Sequence, residues 1–361
     1  MKYFKITFLK KLAFSGLVFI ILLILAEVIL TWMQIFPNDY FTNTPNVSRT
    51  YDENPSKIPG ISGSYKIGYD ELGSRSISDY SKAKHKILAI GGSTTICSVL
   101  SQDKTWTALL DKKLGDDYWV GNFANSGNSS NQHVFQFKYI LDKPELKDTE
   151  TVLILVGVND CRAYLYYQEK YLNMSELDIK KSAFSHMPNN DLPFVRKQTL
   201  FKLALFAKQR IPYYFEPRKP IDYLQNFKNT TVPINTLPDL TNGLNHYEQN
   251  LKTIITEAKK KNINLVFMTQ PTLWKKDLLE KHKTLLAARA HFSKTPLFTG
   301  EALNKIMTVF NKRLLSVCKA NNIKVIDMQL PKNDTIFYDD MHFNEEGAEV
   351  VAEKIYQFLI N

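Results

Sequence analysis

KILAIGGSTT, Lys86 to Thr95, decides how the rest of the chain is read. Lys86–Ile90 is a short continuous apolar run, as expected of a strand buried on both faces. Gly91 and Gly92 follow, where the backbone can turn sharply and approach a ligand closely. Ser93 then stands exposed at a strand end. Taken alone, this loop is equally a Gly-rich turn with a helix-capping serine. It is not a phosphate loop, because no Gly-Lys-Ser/Thr follows at the required spacing.

Working outward, strands and helices alternate. Helical spacing marks Thr105–Leu114, and Tyr118–Phe123 reads as a short strand. Thr151–Val156 (TVLILV) is another continuous apolar run. A helix over Tyr247–Lys261, a strand Ile263–Met268, a helix over Glu301–Asn321, a strand Lys324–Met328 and a helix over Glu345–Leu359 complete the series. This rhythm predicts an α/β fold, a parallel sheet sandwiched by helices. Sites in such folds lie at the carboxyl ends of the strands. Residues 162–240 break the rhythm, with many aromatics, lysines and prolines, and read as a large insertion.

Three more strand-end loops carry unusual residues. Asn122–Ser129 (NFANSGNS) is small and amide-rich, and its Gly127 N–H suits an oxyanion; a plain turn fits the loop as well. Gly157-Val158-Asn159-Asp160 follows TVLILV, and Asn159 there is either an amide donor or part of an Asx turn. Tyr338-Asp339-Asp340-Met341-His342-Phe343-Asn344 precedes the last helix, with Asn344 as its N-cap and Glu345 and Glu346 matching the helix dipole. Asp339 and His342, three apart in a loop, can face one site as orienter and base for a serine nucleophile. The alternative of Asp339, Asp340 and His342 as metal ligands lacks a second cluster to complete a shell. His133, His186, His246, His282 and His291 have no comparable setting and read as surface or structural residues. Cys97, Cys161 and Cys318 have neither disulfide-framework nor zinc spacing, and read as small buried side chains.

Ser, Gly, Asn and Asp-x-x-His, in that order on strand-end loops, resemble the four blocks of the SGNH (GDSL-type) hydrolases. The resemblance covers about residues 86–361 without the insertion. It places Ser93 in the first block, Gly127 in the second, Asn159 in the third, and Asp339 with His342 in the last. It reaches upstream to Leu72-Gly73-Ser74-Arg75, which looks like the Gly-x-Arg element preceding the first block, and to Asp103-Lys104-Thr105-Trp106 in the helix after it. The family's Gly-Asp-Ser is replaced here by Gly91-Gly92-Ser93, a variant found among membrane-anchored, polysaccharide-modifying relatives. The resemblance implies the family's three-layer, flavodoxin-like architecture and a Ser93–His342–Asp339 triad. The oxyanion donors it implies are the N–H groups of Ser93 and Gly127 and the amide of Asn159. No cofactor or metal is implied.

Residues 12–36 (LAFSGLVFIILLILAEVILTWMQIF) carry one charge, Glu27. About 20 such residues span a bilayer core, and the long run without a cleavage site reads as an uncleaved signal anchor. Lys2, Lys5, Lys10 and Lys11 precede it, so residues 1–11 are expected in the cytoplasm and the bulk of the chain outside it. Glu27 has the chemistry to pair with another anchor helix, but so near the helix end it is expected to reach toward the interface; Trp32 is expected to sit at the far one. Residues 37–85 read as a linker with short strands.

The net charge is +10. Removing residues 1–36 takes out four lysines and Glu27 and leaves +7, scattered without a basic stripe, so nucleic acid is not the expected partner. The expected function is an anchored, extracytoplasmic serine esterase removing acyl groups, acetyl foremost, from a glycan or surface polymer. An O-acyltransferase with the same triad, supplied by a membrane acyl-donor partner, is the runner-up; a non-catalytic anchored scaffold comes third. Tyr164, Tyr166, Tyr167, Tyr213, Tyr214 and Phe215 in the insertion have the chemistry to stack on sugars, although filling a cap is the simpler reading.

Overall fold

The computed structural model describes residues 2–51, 58–215, 234–278, 298–332 and 335–361. The chain forms two compact units, Met1–Tyr40 with His186–Lys219, and Phe41–Ser185 with Pro220–Asn361.

Among the described residues the larger unit has seven strands: β1 (Ser48–Tyr51), β2 (Tyr65–Gly68), β3 (His85–Gly91), β4 (Tyr118–Asn122), β5 (Thr149–Leu155), β6 (Asn264–Met268) and β7 (Lys324–Ile326). β1 and β2 pair as an antiparallel hairpin ahead of the main sheet. The other five form one parallel sheet in the order β4-β3-β5-β6-β7. Its centre is dry: Leu88, Ala89, Ile90, Val152, Leu153, Ile154 and Phe267 have no exposed surface. Continuous apolar runs such as β5 are what burial on both faces demands.

The connections place the helices. From β3 the chain moves to one side of the sheet through α2 (Ser93–Ile96) and α3 (Trp106–Leu114) to reach β4. It then returns over β3 through α4 (Ser130–Ile140) to β5. Movement continues that way through α5 (Val158–Tyr167), α6 (Glu169–Leu172), α7 (Glu176–Ala183) and α10 (Thr241–Lys260) to β6, then through α11 (Gly300–Asn321) to β7 and α12 (Glu345–Ile360). Right-handed crossovers running in opposite directions put their helices on opposite faces. Accordingly α3 packs with α12, while α4, α10 and α11 pack together. The reversal at β3 opens a crevice at its carboxyl end, where Ser93 lies.

Helix starts follow local chemistry. Thr105 Oγ1 accepts the Ala108 N–H, Thr299 Oγ1 the Ala302 N–H, and Asn344 Oδ1 the Gly347 N–H, the last as expected for an N-cap. α10 starts six residues before the expected Tyr247. β7 stops at Ile326, two residues short of Met328, because Thr269 Oγ1 takes the Met328 N–H.

The smaller unit contains α1 (Lys2–Trp32), α8 (Phe194–Lys197) and α9 (Thr199–Phe215). α1 runs through the lysines, which are good helix formers, instead of starting at residue 12, and it ends at Trp32 rather than residue 36. Gln34 has a positive φ of 49° and Pro37 follows. Thr7–Trp32 has a mean hydropathy of 2.8 in its most apolar window, with none of it buried, and is long and apolar enough to cross a membrane. The expected insertion at 162–240 is divided: α5 begins before it, α6 and α7 belong to the larger unit, and residues 186–215 fold with α1. Tyr164 packs on Gly243 of α10, a filling role, whereas the side chains of Tyr213, Tyr214 and Phe215 lie outside the described residues.

Candidate active site

Three of the residues marked in the sequence meet directly. His342 Nε2 lies 2.7 Å from Ser93 Oγ, and His342 Nδ1 lies 2.6 Å from Asp339 Oδ2. The carboxylate can only accept, so Nδ1 carries the proton and Nε2 is left to accept from the serine hydroxyl. Asp339 is buried, and its Oδ1 also takes the N–H groups of Met341 (2.9 Å) and His342 (2.7 Å). The aspartate therefore holds both the ring and the backbone of the histidine. Tyr338 stacks on the imidazole, with planes 7° apart and centroids at 5.4 Å. Asp340 turns elsewhere, accepting from Trp274 Nε1 at 2.7 Å, and burial with the adjacent Asp339 charge pushes its carboxyl up to about 6. Among the described residues no group of three or more His, Cys, Asp or Glu side chains gathers as a metal site.

Ser93 opens α2, in which the Thr95 and Ile96 N–H groups both bond the Gly92 carbonyl. That short helix is held at its other end. Arg75, 1% exposed, donates through Nη1 to the carbonyls of Ile96 and Cys97 and through Nη2 to that of Leu100. Asn122 Nδ2 donates to the Thr95 carbonyl at 2.8 Å. The residue flagged upstream thus closes the helix that carries the serine.

Asn159 and the loop of Gly127 meet at Gly92. Asn159 Nδ2 donates one hydrogen to the Asn128 carbonyl at 2.8 Å, and its second amide hydrogen remains available. A Cβ placed on Gly92 would lie 2.2 Å from Asn159 Nδ2 and 3.1 Å from the Asn128 carbonyl oxygen. Gly92 is therefore a close-approach glycine that lets the amide lie over the backbone before Ser93. Gly127, one residue before Asn128, is exposed with φ of 83°. A non-glycine side chain there would strain the loop.

Asp160, quoted in the sequence beside Asn159 without a role, is an anchor. It is buried and accepts from the Ser130 N–H (3.0 Å), the Ser130 hydroxyl and the Tyr171 hydroxyl (2.8 Å). These contacts tie the first turn of α5, and so Asn159, to the start of α4. Burial pushes its carboxyl up to about 6. His133 is buried with Nδ1 3.0 Å from Gln136 Oε1, its pKa pushed down to about 4 by burial. His246 lies 2.7 Å from Asn131 Oδ1, while His282 and His291 lie outside the described residues. All three cysteines are buried and free.

Beside the Gly127 loop, a cavity of about 240 Å³ is lined by Asn43, Arg49, Tyr51, Tyr69 and Asn125, among others. Asn43 Nδ2 bonds the carbonyls of Gly73 (3.3 Å) and Ala124 (3.2 Å), joining the segment before β1 to the Gly127 loop.

No curated protein matches the sequence. Similar solved structures include a member of the lipolytic G-D-S-L family from Veillonella parvula, 12% identical, covering 77% of this chain and 99% of that one, with a TM-score of 0.40. A lipase/acylhydrolase from Enterococcus faecalis is 14% identical over 76% of this chain and 95% of its own, TM-score 0.40. An acetylxylan esterase from Geobacillus stearothermophilus is 14% identical over 76% and 94%, TM-score 0.40. The model of the GDSL-like lipase/acylhydrolase family matches residues 89–350. Because that match takes in most of the chain and spans Ser93 through His342, the chain belongs to the GDSL-like lipase/acylhydrolase family and is an ester-hydrolysing enzyme.

Proposed function

We propose that this chain is a membrane-anchored serine esterase that removes O-acyl groups, acetyl foremost, from a glycan or other surface polymer. The unbroken line of hydrogen bonds from Asp339 through His342 to Ser93 carries the reading. Ser93 Oγ attacks the ester carbonyl while His342 Nε2 takes its proton, and the imidazolium formed is stabilised by Asp339. The tetrahedral oxyanion is received by the N–H groups of Ser93 and Gly127 and the free amide hydrogen of Asn159. His342 returns the proton to the leaving alcohol, which departs and leaves acyl-Ser93. A water molecule, deprotonated by the same nitrogen, then releases the carboxylic acid and restores the serine.

The cavity beside the Gly127 loop supports a carbohydrate substrate. Amide, hydroxyl, guanidinium and aromatic groups converge there, the mixture that binds hydroxyl-rich rings. The lysines before the apolar helix support placing the catalytic unit outside the cytoplasm.

The test uses the full chain in detergent, wild type and Ser93→Ala, with an acetylated oligosaccharide and an unacetylated acceptor. Acetate release that depends on Ser93 is the expected result. Transfer of acetyl to the acceptor in excess of acetate would replace this reading with an O-acyltransferase. If neither product depends on Ser93 and a fluorophosphonate fails to label it, the catalytic assignment falls.

A further inference from the structure

Glu27 is the single charged residue between Leu12 and Phe36. The sequence sends it toward the interface; instead the smaller unit gives it partners 172 and 173 positions away. Oε1 accepts the Thr199 N–H at 2.6 Å and the Thr31 hydroxyl at 3.1 Å, and Oε2 accepts the Leu200 N–H at 2.8 Å. The Thr31 and Thr199 hydroxyls are 2.7 Å apart. Thr199 and Leu200 begin α9, where backbone N–H groups have no intrahelical acceptor. Glu27 is thus the cap of a helix from another part of the chain.

The depth of this contact gives it a meaning. Leu12 to Trp32 spans about 31 Å of helix, the thickness of a bilayer core at about 30 Å. Glu27 is five residues before Trp32, hence about 7 Å inside that boundary. Neighbouring contacts trace the path of the chain. Asn189 N–H donates to Asn38 Oδ1 at 2.7 Å, beyond the end of α1. Ten residues later Thr199 is beside Glu27, and seven further on the Phe206 ring meets Phe36 edge-on at 6.3 Å. The segment descends along α1 and climbs back.

The descending limb ends in an apolar tip. Phe194 is 73% exposed and Val195 56%, on the single turn α8 that leads into α9. Arg196 and Lys197 follow, and Lys197 Nζ lies over the Phe194 ring, 5.5 Å from its centroid. Lys202 Nζ and Asn38 hold the two faces of Asn189 at the polar end. In hydrocarbon every backbone N–H needs a partner. The N–H groups of Arg196 and Lys197 bond the Pro193 carbonyl, and that of Gln198 bonds the Val195 carbonyl. Those of Thr199 and Leu200, which a helix start leaves open, are the two that Glu27 takes.

We propose that residues 189–206 form a re-entrant hairpin in the bilayer leaflet at the Trp32 end of α1, with Phe194 and Val195 among the lipid acyl chains and Glu27 closing the start of α9. This rests on the reading of residues 12–36 as a membrane anchor. It gives the protein a second membrane contact, drawn from the segment that interrupts the hydrolase fold.

The full chain, reconstituted into phosphatidylcholine–phosphatidylglycerol vesicles, tests it. Val195→Cys, Ile24→Cys and Lys82→Cys each receive an environment-sensitive nitrobenzoxadiazole label; the native cysteines are buried. Doxyl-labelled lipids should quench the labels at 24 and 195 severalfold more than the label at 82, which is on an exposed lysine of the other unit. Adding Glu27→Leu should bring quenching at 195 down to the level at 82 and leave that at 24 unchanged. Glu27→Gln, which keeps one carbonyl acceptor, should fall between. Quenching at 24 without quenching at 195 overturns the hairpin and leaves the anchor standing. Absence of quenching at 24 overturns the anchor and the hairpin with it. Quenching at 195 that ignores Glu27→Leu overturns the role given to Glu27.

Discussion

Replacing Gly92 by alanine should cost the enzyme the oxyanion donor proposed at Asn159 without touching Asn159. The new Cβ would sit 2.2 Å from Asn159 Nδ2. Non-bonded heavy atoms of this kind settle at about 3.5 Å or more, so the amide must retreat by about 1 Å. An oxyanion donor works at about 2.7–3.1 Å, and a retreat of that size removes the bond. Loss of one such donor costs about 2.7–4 kcal/mol, or roughly 10²–10³ in kcat. The Asn128 carbonyl, 3.1 Å from the same Cβ, blocks an escape in that direction. KM should move little, because the donor acts on charge that develops after binding. Asn159→Ala should show a loss of the same size, and the double variant should be no worse than either single one, since both remove one interaction. Steady-state kinetics on a small acetyl ester measure all four corners. Activity of Gly92→Ala within tenfold of wild type, or losses that multiply in the double variant, would refute the close-approach role of Gly92.

Arg75→Met should unfold the larger unit more easily by about 3 kcal/mol or more, because three buried carbonyls lose their donor at about 1–3 kcal/mol each; a urea midpoint matching wild type would rule this out. Asp160 has a carboxyl raised to about 6 by burial, against about 3.9 in an unfolded chain. The folded state binds that proton more tightly, so its stability falls as pH rises from about 4 to about 6 and stays lower above. Asp160→Asn keeps a neutral group there, so its Tm relative to wild type should rise between pH 4.5 and 7.5; a difference that is flat or falls with pH contradicts the assignment. Arg49→Ala should raise KM for an acetylated oligosaccharide about tenfold or more, the worth of a charge-assisted hydrogen bond, while leaving a small acetyl ester within twofold. Equal effects on the two substrates would remove the cavity from substrate binding.

The parts of the site that the sequence displayed are those written within a few residues of a strand end. Asp339 and His342 can be paired from their spacing because one loop carries both. Ser93 stands out because an apolar strand and two glycines frame it. α4 was not legible for a physical reason: its buried positions are Ser130, Asn131, Gln132, His133 and Gln136, with Phe137 and Ile140 behind them. These polar residues satisfy Asp160, Tyr171, His246 and Asn250 across the packing, so no hydropathy period betrays the helix. Its only local sign is Ser129 followed by Gln132, whose side-chain carbonyl takes the Ser129 N–H at 2.9 Å. The partner of Glu27 was hidden for a different reason, because nothing in one helix shows which distant N–H groups will meet its carboxylate.

Gly92 and Asp160 together suggest how this chain manages without the aspartate of the family's namesake block. A side chain before Ser93 would occupy the space of the Asn159 amide, so the glycine and the inward position of Asn159 depend on one another. That position has to be enforced from behind. Asp160 does so by fastening the next residue of α5 to the N–H and hydroxyl of Ser130, and the Asn128 carbonyl does so from the front by fixing one amide hydrogen. Asn159, just past the end of β5, is thereby clamped by the one loop that follows β4, across the intervening strand β3. Rigid donors need no reorganisation as charge develops, which is where such donors derive their catalytic effect. Asp160→Asn should therefore disturb kcat less than Asp160→Ala, since the amide retains an acceptor for Ser130 and alanine does not. Equal kcat in the two variants would mean that the anchor at Asp160 stabilises the fold without positioning the amide.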